Sequence, residues 1–246
     1  MRKIIWTRSD SERQSDIRWM PDPARVIWVP CIEIHTLPYT MPAISPPYAF
    51  AFTSVRALEE TLRHPALFAC LQQAVWVGTF GEKTYERLCQ IPGCAPHLVA
   101  ASSAQDFASL LFPSSPATER SVGDPPRSAI TWILPGPIER AFSFAEFLQA
   151  HGQQVLPADL YETRSHAPTG YDPYTLLRLD QEYALCFASP SAVRGFCAWL
   201  PPVFAERQFQ VYVLGESTKS ACTGQFSRVK VVSPQRLEVL AKTAFS

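Results

Sequence analysis

Phe52-Thr53-Ser54-Val55-Arg56-Ala57-Leu58 and Phe187-Ala188-Ser189-Pro190-Ser191-Ala192-Val193 are two versions of one phrase. In each, an apolar run ends in a small hydroxyl residue and passes into a stretch with helical spacing. A second apolar run follows each and ends in Gly-Glu-x-Thr. Gly81-Glu82-Lys83-Thr84 begins 29 residues beyond Phe52, and Gly215-Glu216-Ser217-Thr218 begins 28 beyond Phe187. Strands alternating with helices argue for parallel sheets covered on both faces. Two copies of such a unit predict two similar α/β domains, with function expected in a cleft between them.

The repeat extends in both directions. Ser103 and Ser233 occupy equivalent places after the strand that follows Gly-Glu-x-Thr, and Leu110 and Leu240 fall seven residues beyond them. Ser103 with Asp106 reads as a capping pair for a helix over 104–112, and Ser233-Pro234 as a cap with proline at the first helical position. Strands are expected at 3–6, 26–29, 48–52, 75–80, 129–134 (ending at Pro135-Gly136-Pro137), 154–156 and from Tyr183. The proline-rich stretches 37–47 and 113–127 read as loops. The strand–turn–helix–strand outline of 3–34 resembles that of 130–163, yet one outline unit precedes a repeat and the other follows one. A discontinuous domain resolves this order. Residues 1–30 join 167–246, residues 37–157 form an inserted domain, and the alternating segments 31–36 and 158–166 pair as a two-stranded antiparallel linker, expected to act as a hinge.

Composition narrows the function. With 246 residues and 47% hydrophobic content there is ample core for two domains. The 22 basic and 22 acidic residues balance, which argues against a nucleic-acid or anionic-membrane footprint. Seven cysteines without C-x-x-C spacing read as reduced core thiols. The histidines at 35, 64, 97, 151 and 166 lack metal-ligand spacing and sit in polar sequence, which predicts surface positions. The N-terminal apolar run is too short for a signal sequence, and nothing approaches the ~20 apolar residues of a membrane span. A soluble, cytoplasmic protein is expected. No P-loop, nucleophile elbow or GxGxxG occurs, against phosphoryl-transfer, hydrolase and nicotinamide chemistry.

Phe52-Thr53-Ser54-x-Arg56-Ala57, Gly81-Glu82-Lys83-Thr84, Tyr161-Glu162-Thr163, Phe187-x-Ser189-Pro190-Ser191-Ala192-Val193 and Gly215-Glu216-Ser217-Thr218 together resemble uroporphyrinogen-III synthase. Each motif is weak alone; five in order, spanning nearly the whole chain, are specific. Val55 departs from the proline usual after the first serine, and the Gly78-Thr79-Phe80 strand end is unusual. The resemblance implies two α/β domains joined by a two-stranded ladder, with the active site between them. The implied reaction closes hydroxymethylbilane, a linear tetrapyrrole with eight carboxylates, into uroporphyrinogen III, inverting ring D through a spiro intermediate with loss of water. No cofactor or metal is implied. The implied enzyme is a monomer supplied by hydroxymethylbilane synthase. A two-domain tetrapyrrole- or anion-binding regulatory protein is the alternative.

Gly81 and Gly215 each end a strand and open a helix, where backbone approaches a ligand and free amides attract anions; an ordinary tight turn also explains them. Thr84 and Thr218 add hydroxyls that serve either capping or substrate. Ser54 and Ser189 fit helix caps, compatible with ligand binding at the same terminus; Thr53 stands beside the first. Arg56, the arginine of the family pattern, and Arg8, after the first strand, are candidates for substrate carboxylates, as against solvated positions. Tyr161 is the candidate for chemistry. A phenol with an ordinary pKa of ~10 remains protonated at neutral pH and can donate to the departing hydroxyl; the competing reading is a packed tyrosine.

Overall fold

The computed structural model describes residues 2–79, 81–99, 101, 104–111, 130–140, 144–178, 180–205, 209–233 and 236–246. In chain order the first strands are β1 (Lys3–Trp6), β2 (Val26–Trp28), β3 (Ile32–Thr36), β4 (Tyr48–Phe52), β5 (Trp76–Thr79) and β6 (Pro96–Leu98). β7 (Thr131–Pro137), β8 (Gln154–Ser165), β9 (Tyr183–Phe187), β10 (Gln210–Val213) and β11 (Arg228–Val231) follow. They form a five-stranded sheet in the order β11-β10-β9-β1-β2 and a six-stranded sheet in the order β3-β8-β7-β4-β5-β6. The chain divides into two compact units, Met1–His35 with Thr163–Ser246, and Thr36–Glu162. Among the described residues, no helix is long and apolar enough to cross a membrane.

The two sheets repeat one arrangement. β11-β10-β9-β1-β2 corresponds, strand for strand, to β6-β5-β4-β7-β8, with parallel pairing throughout both sets. In the first sheet the β1-β2 pair comes first in the chain; in the second its counterpart, β7-β8, comes last. A parallel sheet with helical crossovers constrains which strands are neighbours, so a permuted chain order reaches the same sheet.

The central strands β4 (Tyr-Ala-Phe-Ala-Phe) and β9 (Tyr-Ala-Leu-Cys-Phe) are buried at all five positions. That is why they read as continuous apolar runs rather than alternating ones. In the first sheet successive residues serve opposite faces. Ile4, Trp6 and Cys186 join a core with Tyr212 and Leu240, while Ile5, Leu185 and Phe187 join one with Phe196 and Val211. In the second sheet Ala49, Ala51, Trp76 and Trp132 pack with Phe107 and Phe144. The edge strand β11 alternates exposed and half-buried residues.

Several sequence expectations need adjustment. β7 does not stop before its prolines but runs through Pro135-Gly136-Pro137 beside β8. Thr131 sends its N–H towards β4, to the Pro47 carbonyl; by alternation 135 and 137 face the same flank. The ladder with β4 ends at Ile133, so two missing amides there break no sheet hydrogen bond. β8 is one strand over Gln154–Ser165 rather than two pieces divided at Pro157. Leu37 donates to the Leu160 carbonyl at 2.8 Å and His166 to the Cys31 carbonyl at 2.9 Å, so β3 and β8 belong to the six-stranded sheet. The unusual Gly78 is explained by Trp76, whose indole occupies the space a Cβ at 78 would need. That indole also stacks on His97, with centroids 5.5 Å apart and planes 7° from parallel.

Of the histidines, His151 is exposed and the other four are half-buried, with ring partners such as Trp76 and Glu33. The last helix runs Leu237–Phe245 with Arg236 at its N-cap, not Ser233; Pro234 lies outside the described residues. So do Ser103, the 113–127 loop and Phe80. All seven cysteines are free, with Cys31, Cys186 and Cys222 buried.

Candidate active site

The repeated motifs meet at the carboxyl ends of in-register strands. In the second sheet Phe52 pairs with Thr79, and two residues beyond each stand Ser54 and Gly81. They are the N-caps of helices Val55–Arg63 and Glu82–Cys89. In the first sheet Phe187 pairs with Val213, and two residues beyond stand Ser189 and Gly215, the N-caps of Pro190–Trp199 and Glu216–Cys222. β4 and β7 flank the point where strand order reverses in one sheet, as β9 and β1 do in the other. Open parallel sheets bind ligands outside the carboxyl strand ends at such points.

The two serine caps are near copies. Ser54 has φ −158° and ψ 154°, and its Oγ accepts the Ala57 N–H at 3.1 Å. Ser189 has φ −154° and ψ 158°, and its Oγ accepts the Ala192 N–H at 3.3 Å. Val55 in place of proline therefore leaves the cap intact, since the serine supplies the acceptor and proline only pre-sets φ. Gly81, at φ −94°, occupies a conformation open to any residue. A Cβ there would meet only Thr84, with Oγ1 at 3.4 Å. Thr84 and Thr218 are buried, 3% and 2% exposed, under the first turns of their helices.

Tyr161 is 7% exposed. Its hydroxyl lies 3.4 Å from Ser54 Oγ, and its carbonyl accepts the Ile138 N–H at 2.9 Å. The serine cap and the tyrosine, separate in sequence, are thus brought together within the unit Thr36–Glu162. Thr53 beside them is half-buried. Arg56 is 3.6 Å from Glu60, whose carboxylate is fully buried and also takes Arg63 at 2.8 Å and the Thr36 hydroxyl at 3.2 Å. Arg8 belongs to the other unit with Ser189, Gly215 and Thr218. Its Nη1 donates to both oxygens of buried Asp16, at 2.6 and 2.7 Å, and its Nη2 meets Glu12 at 2.5 Å. Asp16 also accepts the Trp6 indole N–H at 3.0 Å. Next to Arg8, the Thr7 hydroxyl bonds the Cys186 carbonyl at 2.7 Å, tying the ends of β1 and β9.

Several charged residues around the candidates gave little or no signal in the sequence. Glu60 stands at i+4 from Arg56, a signal that helical spacing offered. Asp16, Arg140 and Asp159 had none. Arg140 Nη1 pairs with Asp159 Oδ1 at 2.6 Å, while burial and then the Asp159 carboxylate push the Tyr39 phenol up. In the unit containing β1 lies a cavity of about 220 Å³ lined by Ser9, Asp10, Glu33, His166, Thr169 and Tyr171, among others. Burial, then the neighbouring Asp10 carboxylate, push the Tyr171 phenol up, while Arg13 pulls it down.

No curated protein matches the sequence significantly. Among solved structures, the chain is similar to uroporphyrinogen-III synthetase from Helicobacter pylori, with 18% identity and TM-score 0.67, covering 100% of this chain and 99% of that one. It is also similar to a mutant uroporphyrinogen III synthase from the extremely thermophilic bacterium Thermus thermophilus, with 15% identity and TM-score 0.55, covering 99% and 97%. Both likenesses concern the fold, mixed α/β with parallel sheets. The family model of uroporphyrinogen-III synthase HemD matches residues 23–237. With most of its length spanned by that match, the chain belongs to the uroporphyrinogen-III synthase HemD family.

Proposed function

We propose that this chain is a uroporphyrinogen-III synthase, a cyclising hydro-lyase that closes hydroxymethylbilane into uroporphyrinogen III with ring D inverted. The family match over 23–237 carries the reading, and it favours the enzyme over a non-catalytic tetrapyrrole-binding protein. Left alone, the substrate loses its hydroxyl and closes without inversion. The enzyme's task is to hold the chain so that the substituted carbon of ring D attacks the activated methylene. The C–O bond breaks, the hydroxyl leaves as water, and the spiro intermediate that forms rearranges to the ring-D-inverted macrocycle.

Tyr161 assists that departure by donating the proton from its phenol, which is restored when ring closure releases one. Its placement beside Ser54 supports this role. Thr53, Ser54, Arg56, Gly81 and Thr84 on one unit, and Arg8, Ser189, Gly215 and Thr218 on the other, hold substrate carboxylates through amides, hydroxyls and guanidinium groups. The matched strand-end geometry of the two units supports this doubled use. Arg8 and Arg56 would act as cations already oriented by Asp16 and Glu60.

Residues 1–30 with 167–246, and 37–157, act as the two domains, the crossings 31–36 and 158–166 as a hinge, and the substrate is taken between them. The hydrogen bonds Leu37–Leu160 and His166–Cys31, which advance in opposite chain directions, support a paired crossing. Because the free substrate closes unaided, direct supply by a cytoplasmic hydroxymethylbilane synthase suits a monomeric enzyme.

The test is product identity. Purified protein given freshly generated hydroxymethylbilane is expected to yield the type III isomer; folded protein yielding the type I isomer alone overturns the assignment.

A further inference from the structure

The carboxyl end of β7 carries a pair of side chains with no role so far. Gly136 is not among the glycines of positive φ, so no backbone torsion requires glycine there. A Cβ at 136 would nevertheless stand close to Arg140, 3.3 Å from its Nε and 3.4 Å from its Nη2. The guanidinium therefore lies against the strand end, with Nη1 on Asp159 at 2.6 Å and Nη2 on the Leu134 carbonyl at 3.3 Å. Among the described residues these partners use two of its five N–H donors. Asp159 is the register partner of Gly136, as Tyr161 is of Pro137.

Between Pro137 and Arg140 comes Ile138, 52% exposed. Its side chain is open although its backbone is fixed, because its N–H is bonded to the Tyr161 carbonyl at 2.9 Å. An exposed aliphatic side chain and an oriented cation thus share one short segment beside Tyr161. That combination suits an aromatic ring bearing a carboxylate side chain: apolar surface for the ring, a planar fork for the carboxylate.

Resting on the synthase reading, we infer that Ile138 and Arg140 form a subsite for one carboxylate-bearing pyrrole ring of the substrate. Ile138 packs on the ring, and Arg140 takes one of its carboxylates with the donors that Asp159 and Leu134 leave. Asp159 is a positioning residue: it orients the guanidinium and balances its charge before substrate arrives.

Steady-state kinetics on fresh hydroxymethylbilane test this with wild type, R140Q, R140K and I138A. R140Q is expected to raise KM about ten-fold with little change in kcat, the loss of a charged hydrogen bond made before and during reaction. R140K is expected to recover part of that KM, and I138A to raise KM about three-fold. Ile138 is exposed, so its truncation leaves folding intact and carries the test if R140Q does not fold. Wild-type KM in R140Q or I138A, a fall in kcat at unchanged KM, or an R140K no better than R140Q overturns the subsite. Those results leave the synthase reading standing, whereas a wild type making only the type I isomer overturns that reading itself.

Discussion

The hydroxyl of Tyr161 stands 3.4 Å from the Oγ of Ser54, the oxygen that also caps helix Val55–Arg63 through the Ala57 N–H. A group proposed for proton donation is thereby located by a helix terminus, and the terminus in turn by the carboxyl end of β4.

Removing that hydroxyl separates chemistry from structure. Y161F is expected to lower type III formation about 100-fold while leaving the melting temperature nearly unchanged, since the ring stays in place. S54A loses a helix cap worth about 1 kcal/mol and part of the rate, because the phenol loses its neighbour. Initial rates with product-isomer analysis and thermal melts measure both, and a Y161F enzyme at full rate would assign Tyr161 to packing alone.

Two glycines are expected to respond oppositely to alanine. Gly195 lies inside helix Pro190–Trp199, where glycine costs about 1 kcal/mol relative to alanine. Yet a Cβ there would fall on the Cys31 carbonyl oxygen and 2.6 Å from that of His166. Both obstacles are backbone and cannot swing aside, so G195A is expected to destabilise by about 3 kcal/mol in denaturant titration. G81A meets only Thr84 at ordinary contact distance. It is expected to keep its stability and raise KM, and a stable G81A with normal KM would remove Gly81 from the substrate rim.

Asp16 is the hub of its unit's first turn, fully buried and bonded to Trp6 and Arg8. D16A leaves the buried Trp6 indole N–H without its acceptor and the Arg8 guanidinium with Glu12 alone, and is expected to destabilise by about 3 kcal/mol. Equilibrium unfolding gives the value; a loss below about 1 kcal/mol would mean that solvent readily replaces the carboxylate.

Thiol reactivity follows burial. Burial, with neighbouring Cys197 adding to it, pushes the Cys31 thiol far up, and burial alone does so for Cys186. Burial, then Cys197, pushes Cys222 up to about 11. The thiolate is the reactive form, so an aromatic disulfide reagent is expected to label exposed Cys89 quickly in the native protein. Cys31, Cys186 and Cys222 are expected to label only in denaturant; fast native labelling of Cys186 would show that its core opens locally.

Much of the fold was legible because it is written in local pattern. β1 and β4 match the sequence expectation residue for residue, and the helix expected after Ser54 forms as Val55–Arg63, since apolar periodicity and a serine cap act over a few neighbouring residues. The reach of β7 was hidden: prolines read as a stop, and only the absence of a β4 partner beyond Ile133 makes them permissible. The partners of the candidate arginines were hidden too. Arg8 is held by Asp16 on the short helix Arg13–Ile17, and Arg140 by Asp159 on a neighbouring strand.

The amino-acid order by itself determined the doubling: two Phe-x-Ser and two Gly-Glu-x-Thr segments whose caps and strand ends form by short-range interactions. Only the tertiary structure decided what those ends face. Ser54 and Tyr161 are 107 residues apart, and they meet because β4, β7 and β8 lie in one sheet. Register and strand order are set by burial of whole faces, a property summed over the entire core, which no local segment encodes.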